Sequence, residues 1–170
     1  MTIDALVPPL DDAALDQLDI AISLSLAADQ QSNPMIVAID RPEHGDIPDA
    51  QRRWYVRMRG EEKSYTTIWF TLGQRTLSYE TYVLPAPEEN HAGFYEHLLR
   101  RNYGLVGAHF AVGPEDAVYL MGSIPVQLLG NGRLGHELDQ IIGTLWAYSE
   151  RVFPAALRIG WASRFAKAPF

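Results

Sequence analysis

The sequence predicts an α+β fold in which helices cover one face of an antiparallel sheet. Three consecutive runs of alternating apolar and polar residues lie between Trp54 and Leu84, and apolar stripes at helical spacing lie before and after them. A period of two is typical of half-buried strands, and apolar residues three and four positions apart are typical of helices. The predicted order is helix, three-strand antiparallel meander, helix, two-strand hairpin and helix. A chain of 170 residues suits one domain.

The first helix is predicted to begin at Asp11 or Asp12, because a carboxylate there can accept from free backbone N–H groups. It should end before Pro34, and residues 34–51 are interpreted as a connector in which residues 35–39 weakly favour a short strand. The apolar stripe of the helix comprises Leu15, Leu18, Ile22 and Leu26, widened by Ile20 and Leu24. We therefore expect this helix to pack on a core or on a partner.

The central strands are predicted at residues 54–59, 64–72 and 75–84, with polar turns at 60–63 and 73–74. Side-chain alternation divides their residues between two faces. One face of the first strand carries Trp54, Val56 and Met58, and the other face carries Tyr55, Arg57 and Arg59. We expect Glu80 and Tyr82 to extend the second face, which an antiparallel sheet can leave open to water.

The second half continues the pattern. Pro85 and Pro87 end the sheet, and Glu88, Glu89 and Asn90 are interpreted as a capping start for a helix that runs to about Tyr103 and ends at Gly104. A hairpin is predicted from residues 105–112 and 117–126 across a turn at 113–116. The last helix carries a stripe of Leu134, Leu138, Ile141, Leu145, Tyr148 and Val152, and Pro154 should end or kink it.

Composition and charge limit the function classes. The net charge is -7, and residues 1–50 hold ten acidic residues and one basic residue, so nucleic acid is not an expected partner. Cysteine is absent, which excludes disulfides and thiolate chemistry. We expect neither a signal peptide nor a membrane span, because charges or prolines interrupt every apolar stretch. A cytoplasmic location fits these features.

Several sequence blocks resemble one family. Residues 54–63 (WYVRMRGEEK) and 66–73 (TTIWFTLG) resemble the actinobacterial branch of the YbjN family. The later blocks agree in the same order: 87–91 (PEENH), 98–102 (LLRRN), 108–111 (AHFA), 118–122 (VYLMG) and 159–163 (IGWAS). This resemblance spans about residues 52–165, so we expect an acidic N-terminal helix and linker at 1–50, a YbjN-like core at 51–165 and a tail at 166–170.

The resemblance also implies a fold similar to the class I chaperones of type III secretion. Those chaperones are typically dimers that bind an extended segment of a client protein. YbjN-like proteins are often described as sensory or regulatory, without an agreed catalytic residue set. An analogy of fold alone does not establish chaperone activity.

Motifs that could carry chemistry favour structural interpretations. Residues 130–135 match G-x-G-x-x-G, and Glu150 follows at the spacing of a ribose ligand, but too little chain remains for another βαβ unit, so a helix-entry turn is favoured over nucleotide binding. The paired acids 61–62, 88–89 and 115–116 fit solvated turns or helix starts, and no serine lies in a nucleophile elbow. The histidines lack metal-ligand spacing: His44, His91, His97, His109 and His136. No catalytic residue, cofactor or metal site is therefore predicted.

The leading interpretation is a non-enzymatic, chaperone-like or regulatory domain that forms a homodimer and binds a protein segment. The predicted protein-binding residues are Tyr55, Arg57, Arg59, Glu80 and Tyr82. Trp54, Trp69 and Trp146 are expected in the core. Two alternatives remain open: a small-metabolite sensor with a ligand between sheet and helices, and a hydrolase or transferase.

Overall fold

The protein is built on one antiparallel sheet packed against helices, as shown by a computed structural model that describes residues 8–42 and 52–166. Within these residues the strands are β1 (Ile36–Asp40), β2 (Arg52–Arg59), β3 (Tyr65–Leu72), β4 (Thr76–Leu84), β5 (His109–Val112) and β6 (Val118–Pro125). The α-helices are α1 (Asp12–Ser32), α2 (His91–Asn102), α3 (Leu134–Gly160) and α4 (Ala162–Ala166). The strand order in the sheet is β1-β2-β3-β4-β6-β5. The predicted α+β class is confirmed.

The sheet holds one strand more than the five of the predicted element order. The weakly favoured segment at 35–39 forms β1, which pairs with β2 and lies at one edge. The predicted hairpin forms β5 and β6, but β6 pairs with β4 and leaves β5 at the opposite edge. The strand of residues 105–112 is shorter than predicted, because β5 begins only at His109 after a turn in which Gly107 has φ 76°.

Helix α1 begins where the carboxylate of Asp11 caps it. The Oδ1 atom of Asp11 accepts a hydrogen bond from the backbone N–H of Ala14 at 2.8 Å. Ile22 and Leu26 are fully buried, so the acidic N-terminal helix packs on the core. Ile20 and Leu24, which widen the predicted apolar stripe, do not pack on the core, because they are 61% and 68% exposed. Contact of these two residues with a partner stays a prediction.

The core lies between the helices and one face of the sheet. Trp54, Val56 and Met58 of β2 all point into it and are at most 3% exposed. The ring nitrogen of Trp54 donates to the Ser23 hydroxyl of α1 at 3.0 Å, which satisfies the one polar atom of a buried indole. The alternation predicted for β2 is therefore confirmed by the burial of its residues.

A buried carboxylate anchors the turn between β2 and β3. Glu150 of α3 is 5% exposed, and its Oε2 accepts from the backbone N–H groups of Glu61 at 2.9 Å and Glu62 at 2.6 Å. Its Oε1 accepts from the Thr66 hydroxyl at 3.2 Å. Gly60 allows this close packing, since a Cβ there would lie 1.9 Å from the Lys63 carbonyl oxygen and 2.8 Å from Glu150 Oε1. Helix α3 thus fixes the end of β2.

The expected capping start of α2 is wrong. Asn90 precedes the helix with φ 53° and makes no side-chain capping bond to it. The three polar side chains instead hold the C-terminal end of α3 and the start of α4. Asn90 Nδ2 donates to the Ile159 carbonyl oxygen at 2.9 Å, and Glu89 Oε1 accepts from Ser163 N at 2.6 Å. Glu88 pairs with Arg164.

Helix α3 does not end at Pro154. It continues to Gly160 although proline has no N–H group to bond the preceding turn. Val152, Ala156 and Gly160 are buried on both sides of the proline. Apolar packing on the core therefore offsets the missing hydrogen bond, an effect that the local sequence does not reveal.

Candidate functional site

The candidate site is the open face, which is the side of the sheet that carries Tyr55, Trp69, Glu80, Tyr82 and Tyr119. The strand registers place one residue of every strand in a single row across this face. The row reads Asp40, Tyr55, Trp69, Glu80, Met121 and His109. The buried strand residues and the helices that cover them lie on the other side of the sheet. In the described parts of the chain, the open face has no helix on it.

Four aromatic side chains form a continuous cluster on the open face. Tyr55 and Trp69 meet edge to face with ring centroids 6.2 Å apart, and Trp69 lies 6.4 Å from Tyr119. Tyr119 in turn meets Tyr82 edge to face at 5.8 Å. Rings in such contacts hold one another in place, so the cluster presents a pre-ordered apolar surface.

A glycine makes room for this cluster. A Cβ at Gly113 would lie 2.6 Å from Cδ2 of Tyr119, which is closer than side-chain atoms tolerate. Gly113 belongs to the turn between β5 and β6, and its backbone N–H donates to the Ala117 carbonyl oxygen at 2.9 Å. The position of the Tyr119 ring therefore depends on a residue that has no side chain of its own.

Arginines flank the aromatic cluster on β2. Arg57 and Arg59 are exposed, and neither forms an ion pair with residues 8–42 or 52–166. Arg53 belongs to the same face and donates its Nε to the Thr71 hydroxyl at 3.0 Å. The Arg59 carbonyl oxygen accepts from the indole of Trp146 at 2.9 Å, so its backbone is tied to α3 while its guanidinium remains available.

The end of the cluster at Tyr82 is closed by a lysine. Lys63 Nζ donates to the Tyr82 carbonyl oxygen at 2.8 Å and lies 5.8 Å from the centroids of the Tyr82 and Phe153 rings. Burial lowers the pKa of Lys63, and the negative charge of Glu150 partly opposes that shift. The pKa of Tyr82 is raised, mainly by burial and further by Tyr119 and Glu115. The Tyr82 phenol therefore stays neutral, and it can donate a hydrogen bond.

The structure brings the predicted site residues to one face. Tyr55, Arg57, Arg59, Glu80 and Tyr82 all lie on the open face, although β3 separates the β2 residues from Glu80 and Tyr82. Their role in protein binding stays a prediction.

The expectation that Trp69 lies in the core is wrong, because its side chain lies half-buried on the open face. Trp54 is in the core as expected, and Trp146 is partly buried against it. Tyr119 was not among the predicted site residues. Alternation within β6 could have paired it with Met121 on one face, but only the pairing of β6 with β4 places it beside Tyr82.

The remaining motifs do not assemble a reactive centre in the described chain. Glu150, spaced like a ribose ligand after residues 130–135, already accepts bonds from the β2–β3 turn. Within residues 8–42 and 52–166, no three His, Asp or Glu side chains are grouped as metal ligands, and His44 lies outside these ranges. None of the helices in the same ranges has the length and apolar character needed to cross a membrane.

Comparison with known proteins identifies the family. A family model described as "YbjN: Putative bacterial sensory transduction regulator" matches residues 40–158. The chain belongs to the YbjN family. This YbjN chain is 27% identical over 125 residues to an uncharacterized protein of Mycobacterium leprae, covering 74% of the chain and 66% of that protein.

Further relatives come from the same genus. The YbjN chain is 27% identical over 122 residues to uncharacterized proteins of Mycobacterium bovis and Mycobacterium tuberculosis, covering 72% of the chain and 63% of each relative. The chain therefore spans just under two thirds of the length of the curated relatives it matches.

The sequence blocks that carry the YbjN resemblance have separate structural roles. Residues 54–63, 66–73 and 118–122 lie in β2, β3 and β6 and supply most of the open face. Blocks 87–91 and 159–163 meet each other at the end of α3, where Glu89 accepts from both the N–H and the hydroxyl of Ser163. These bonds lower the pKa of Glu89 below its usual value. Blocks 87–91 and 159–163 therefore stabilise the fold.

Proposed function

We propose that this YbjN domain is a non-catalytic regulatory or chaperone-like protein that binds an extended segment of a partner protein on its open face. The observation that carries the proposal is the contacting cluster of Tyr55, Trp69, Tyr119 and Tyr82 beside the exposed guanidinium of Arg57. Aromatic residues and arginine are the types that dominate binding energy at protein interfaces. The family's description as a regulator supports a binding role.

The open face suits an acidic segment that contains apolar side chains. Rings of the segment would pack on the aromatic cluster, and its carboxylates would pair with Arg57 and Arg59, whose planar guanidinium groups bind carboxylates through two parallel hydrogen bonds. Glu80 on β4 lies next to Trp69 in the row of residues that crosses the open face. Its negative charge would disfavour a carboxylate of the segment at that position. The expected segment therefore has its acidic residues on the β2 side and its apolar residues over β3 and β6.

Site-specific cross-linking and mutation test this function. A photo-reactive amino acid at Thr67, which lies on the open face opposite Arg57, should cross-link one contiguous segment of a partner in cells. The same amino acid at Arg158, an exposed position on α3, is the matched control. A synthetic peptide of the captured segment should bind the triple variant Tyr55→Ala, Arg57→Ala, Tyr82→Ala at least about tenfold more weakly than the wild type.

A second variant tests the geometry without removing any side chain of the face. Gly113→Ala should displace the Tyr119 ring and weaken peptide binding, whereas Gly93→Ala, where an added Cβ has no atom within 4 Å, should not. The proposal fails if the triple variant and Gly113→Ala both bind the peptide as tightly as the wild type does. It also fails if the photo-reactive amino acid captures the same segments from Thr67 and from Arg158.

We also propose that the domain forms a homodimer in the cytoplasm. The chaperone resemblance supports the dimer, and exposed Ile20 and Leu24 on α1 offer apolar surface for a second copy. Light scattering at several concentrations checks it: a mass that stays at 19.1 kDa throughout would contradict the dimer.

A second candidate function is a small-metabolite sensor. It is favoured by a cleft of about 400 Å³ between α2, α3 and β5, a size within the range of small-molecule sites. Thermal-shift screening against metabolites tests it, because a ligand selective for the folded state must raise the melting temperature.

A further inference from the structure

The cleft between α2, α3 and β5 combines an apolar floor with a basic rim. Phe110 and Val152 are buried, and with Leu105 they form the floor. Three arginines, two tyrosines and a glycine complete the lining: Arg100, Arg101, Arg151, Tyr103, Tyr148 and Gly104. None of the described residues that line the cleft is acidic. The cleft lies on the helical side of the sheet, because Phe110 alternates with the open-face residues His109 and Ala111.

The positive charge of the rim is only partly neutralised. Arg100 pairs with Glu96 at 2.6 Å, one helical turn earlier on α2. Arg101 and Arg151 form no ion pair with residues 8–42 or 52–166. The whole chain carries a net charge of -7, so this cluster of arginines beside an apolar floor differs in sign from the chain as a whole. Arg151 also borders a neighbouring cleft that contains Glu61, Glu62 and Glu150.

The helix dipole explains the positions of the two α2 arginines of the rim but not the position of the third arginine. Arg100 and Arg101 lie in the last turn of α2, where a cation is stabilised by the C-terminal end of the dipole. Arg151 lies within α3, far from either end of that helix, and the dipole does not account for it. The meeting of Arg151 with the α2 arginines is a tertiary feature that points to an anion.

The rim is also held in a defined position. Asn102, at the end of α2, donates Nδ2 to the Phe110 carbonyl oxygen at 3.0 Å and accepts from the Phe110 backbone N–H at 2.7 Å. These two bonds tie the C-terminus of α2 to β5. A site held in place before binding loses less conformational entropy when the ligand arrives.

We propose that this cleft binds a small organic anion, with Arg101 and Arg151 holding a phosphate or carboxylate group and Leu105, Phe110 and Val152 packing on its apolar or aromatic body. The inference rests on the sensor function proposed above and names its ligand class. It is independent of protein binding on the open face. Guanidinium groups match both phosphate and carboxylate, so the shared chemistry defines the class.

Calorimetric titration with matched probes tests this site. Phenyl phosphate and benzoate each join an anion to a ring, whereas inorganic phosphate carries only the anion and phenol only the ring. We expect phenyl phosphate or benzoate to bind with a dissociation constant of about 1 mM or tighter and at least about tenfold more tightly than either fragment. Whichever of these two compounds binds more tightly shows whether the cleft prefers a phosphate or a carboxylate group. If neither exceeds the fragments, the proposal is overturned.

Substitution of single arginines on α2 and α3 locates the site. Arg151→Gln should weaken the probe at least about tenfold, and Arg101→Gln should do the same. Arg158→Gln removes the same charge from an exposed position of α3 outside the cleft and should leave binding within about twofold. An equal loss in Arg151→Gln and Arg158→Gln would show nonspecific attraction and overturn the site.

A further comparison separates the two proposals. The triple variant Tyr55→Ala, Arg57→Ala, Tyr82→Ala should bind the probe like the wild type, and Arg151→Gln should retain the partner peptide. A variant that loses the probe but still binds the peptide is defective in the cleft only. A variant that loses the peptide but still binds the probe is defective on the open face only. Circular dichroism of every variant confirms that it is folded.

Discussion

Replacing Glu150 by alanine is expected to lower the free energy of unfolding by about 3–5 kcal/mol. Its buried carboxylate accepts two short backbone hydrogen bonds, from Glu61 at 2.9 Å and Glu62 at 2.6 Å. It also accepts longer bonds from the Lys63 N–H at 3.4 Å and the Thr66 hydroxyl at 3.2 Å. A hydrogen bond to an ionised group contributes about 1.5–3 kcal/mol, so the two backbone bonds alone support about 3 kcal/mol or more. Alanine also leaves the donors without their acceptor. The loss is large against a typical domain stability of about 5–15 kcal/mol.

The glutamine variant refines this expectation. Glu150→Gln keeps one acceptor oxygen but replaces the other with an NH₂ group and removes the charge, so part of the clamp on the turn survives. We expect it to lose about 1–3 kcal/mol, less than the alanine variant. An order in which glutamine destabilises more than alanine would contradict the hydrogen-bond account.

Urea unfolding followed by tryptophan fluorescence measures both losses. Glu137→Ala is the control. It removes another glutamate of α3, whose ion pair with Arg133 at 3.1 Å is partly exposed, and the variant should lose less than about 1 kcal/mol. Amide hydrogen exchange at Glu61 and Glu62 should accelerate only in the Glu150 variants. Equal stability losses in Glu150→Ala and Glu137→Ala would contradict the conclusion that the buried hydrogen bonds of Glu150 stabilise the fold.

Three other predictions follow from single contacts. Gly60→Ala should destabilise the protein by more than about 2 kcal/mol in urea unfolding, because its Cβ would collide with Lys63, while Gly143→Ala on open helix surface should stabilise it by about 0.5–1 kcal/mol; equal effects would contradict the packing. Burial lowers the pKa of His97 and Arg101 lowers it further, so Arg101→Gln should raise that pKa part of the way to its usual value in an NMR titration, and an unchanged pKa would argue against the contact. The folded-state pKa of Glu89 is depressed, so its contribution to stability is present above the unfolded pKa and lost as pH falls through the folded one; thermal melts of Glu89→Gln should show a shallower acid loss than wild type, and parallel curves would count against it.

Much of the sheet could be predicted because its strands alternate strictly. The buried positions of β2 and β3 follow the period of two that Trp54, Val56 and Met58 begin. The five predicted site residues share a face for the same reason. The same alternation places Trp69 with Thr67 and Thr71, opposite the buried Ile68, Phe70 and Leu72. Its assignment to the core followed from the large apolar ring instead, and a large aromatic side chain is not a reliable sign of full burial.

The missed features depend on contacts between distant segments. Tyr119 joins the aromatic cluster only because β6 pairs with β4, and Arg151 joins the α2 arginines only because α3 crosses beside α2. Glu88, Glu89 and Asn90 look like a helix start locally, yet their partners are about 70 residues later in the chain. Local patterns carry no information about such partners.

Periodicity and composition are local properties of the chain, and they were enough to predict the α+β class, the approximate strand positions, the acidic charge balance and the family resemblance. Tertiary structure alone decided that helix α3 passes through Pro154, that Glu150 holds the β2–β3 turn, and that four aromatic rings meet on the open face. Each of these depends on strand pairing or helix packing, which is set by burial of the whole core.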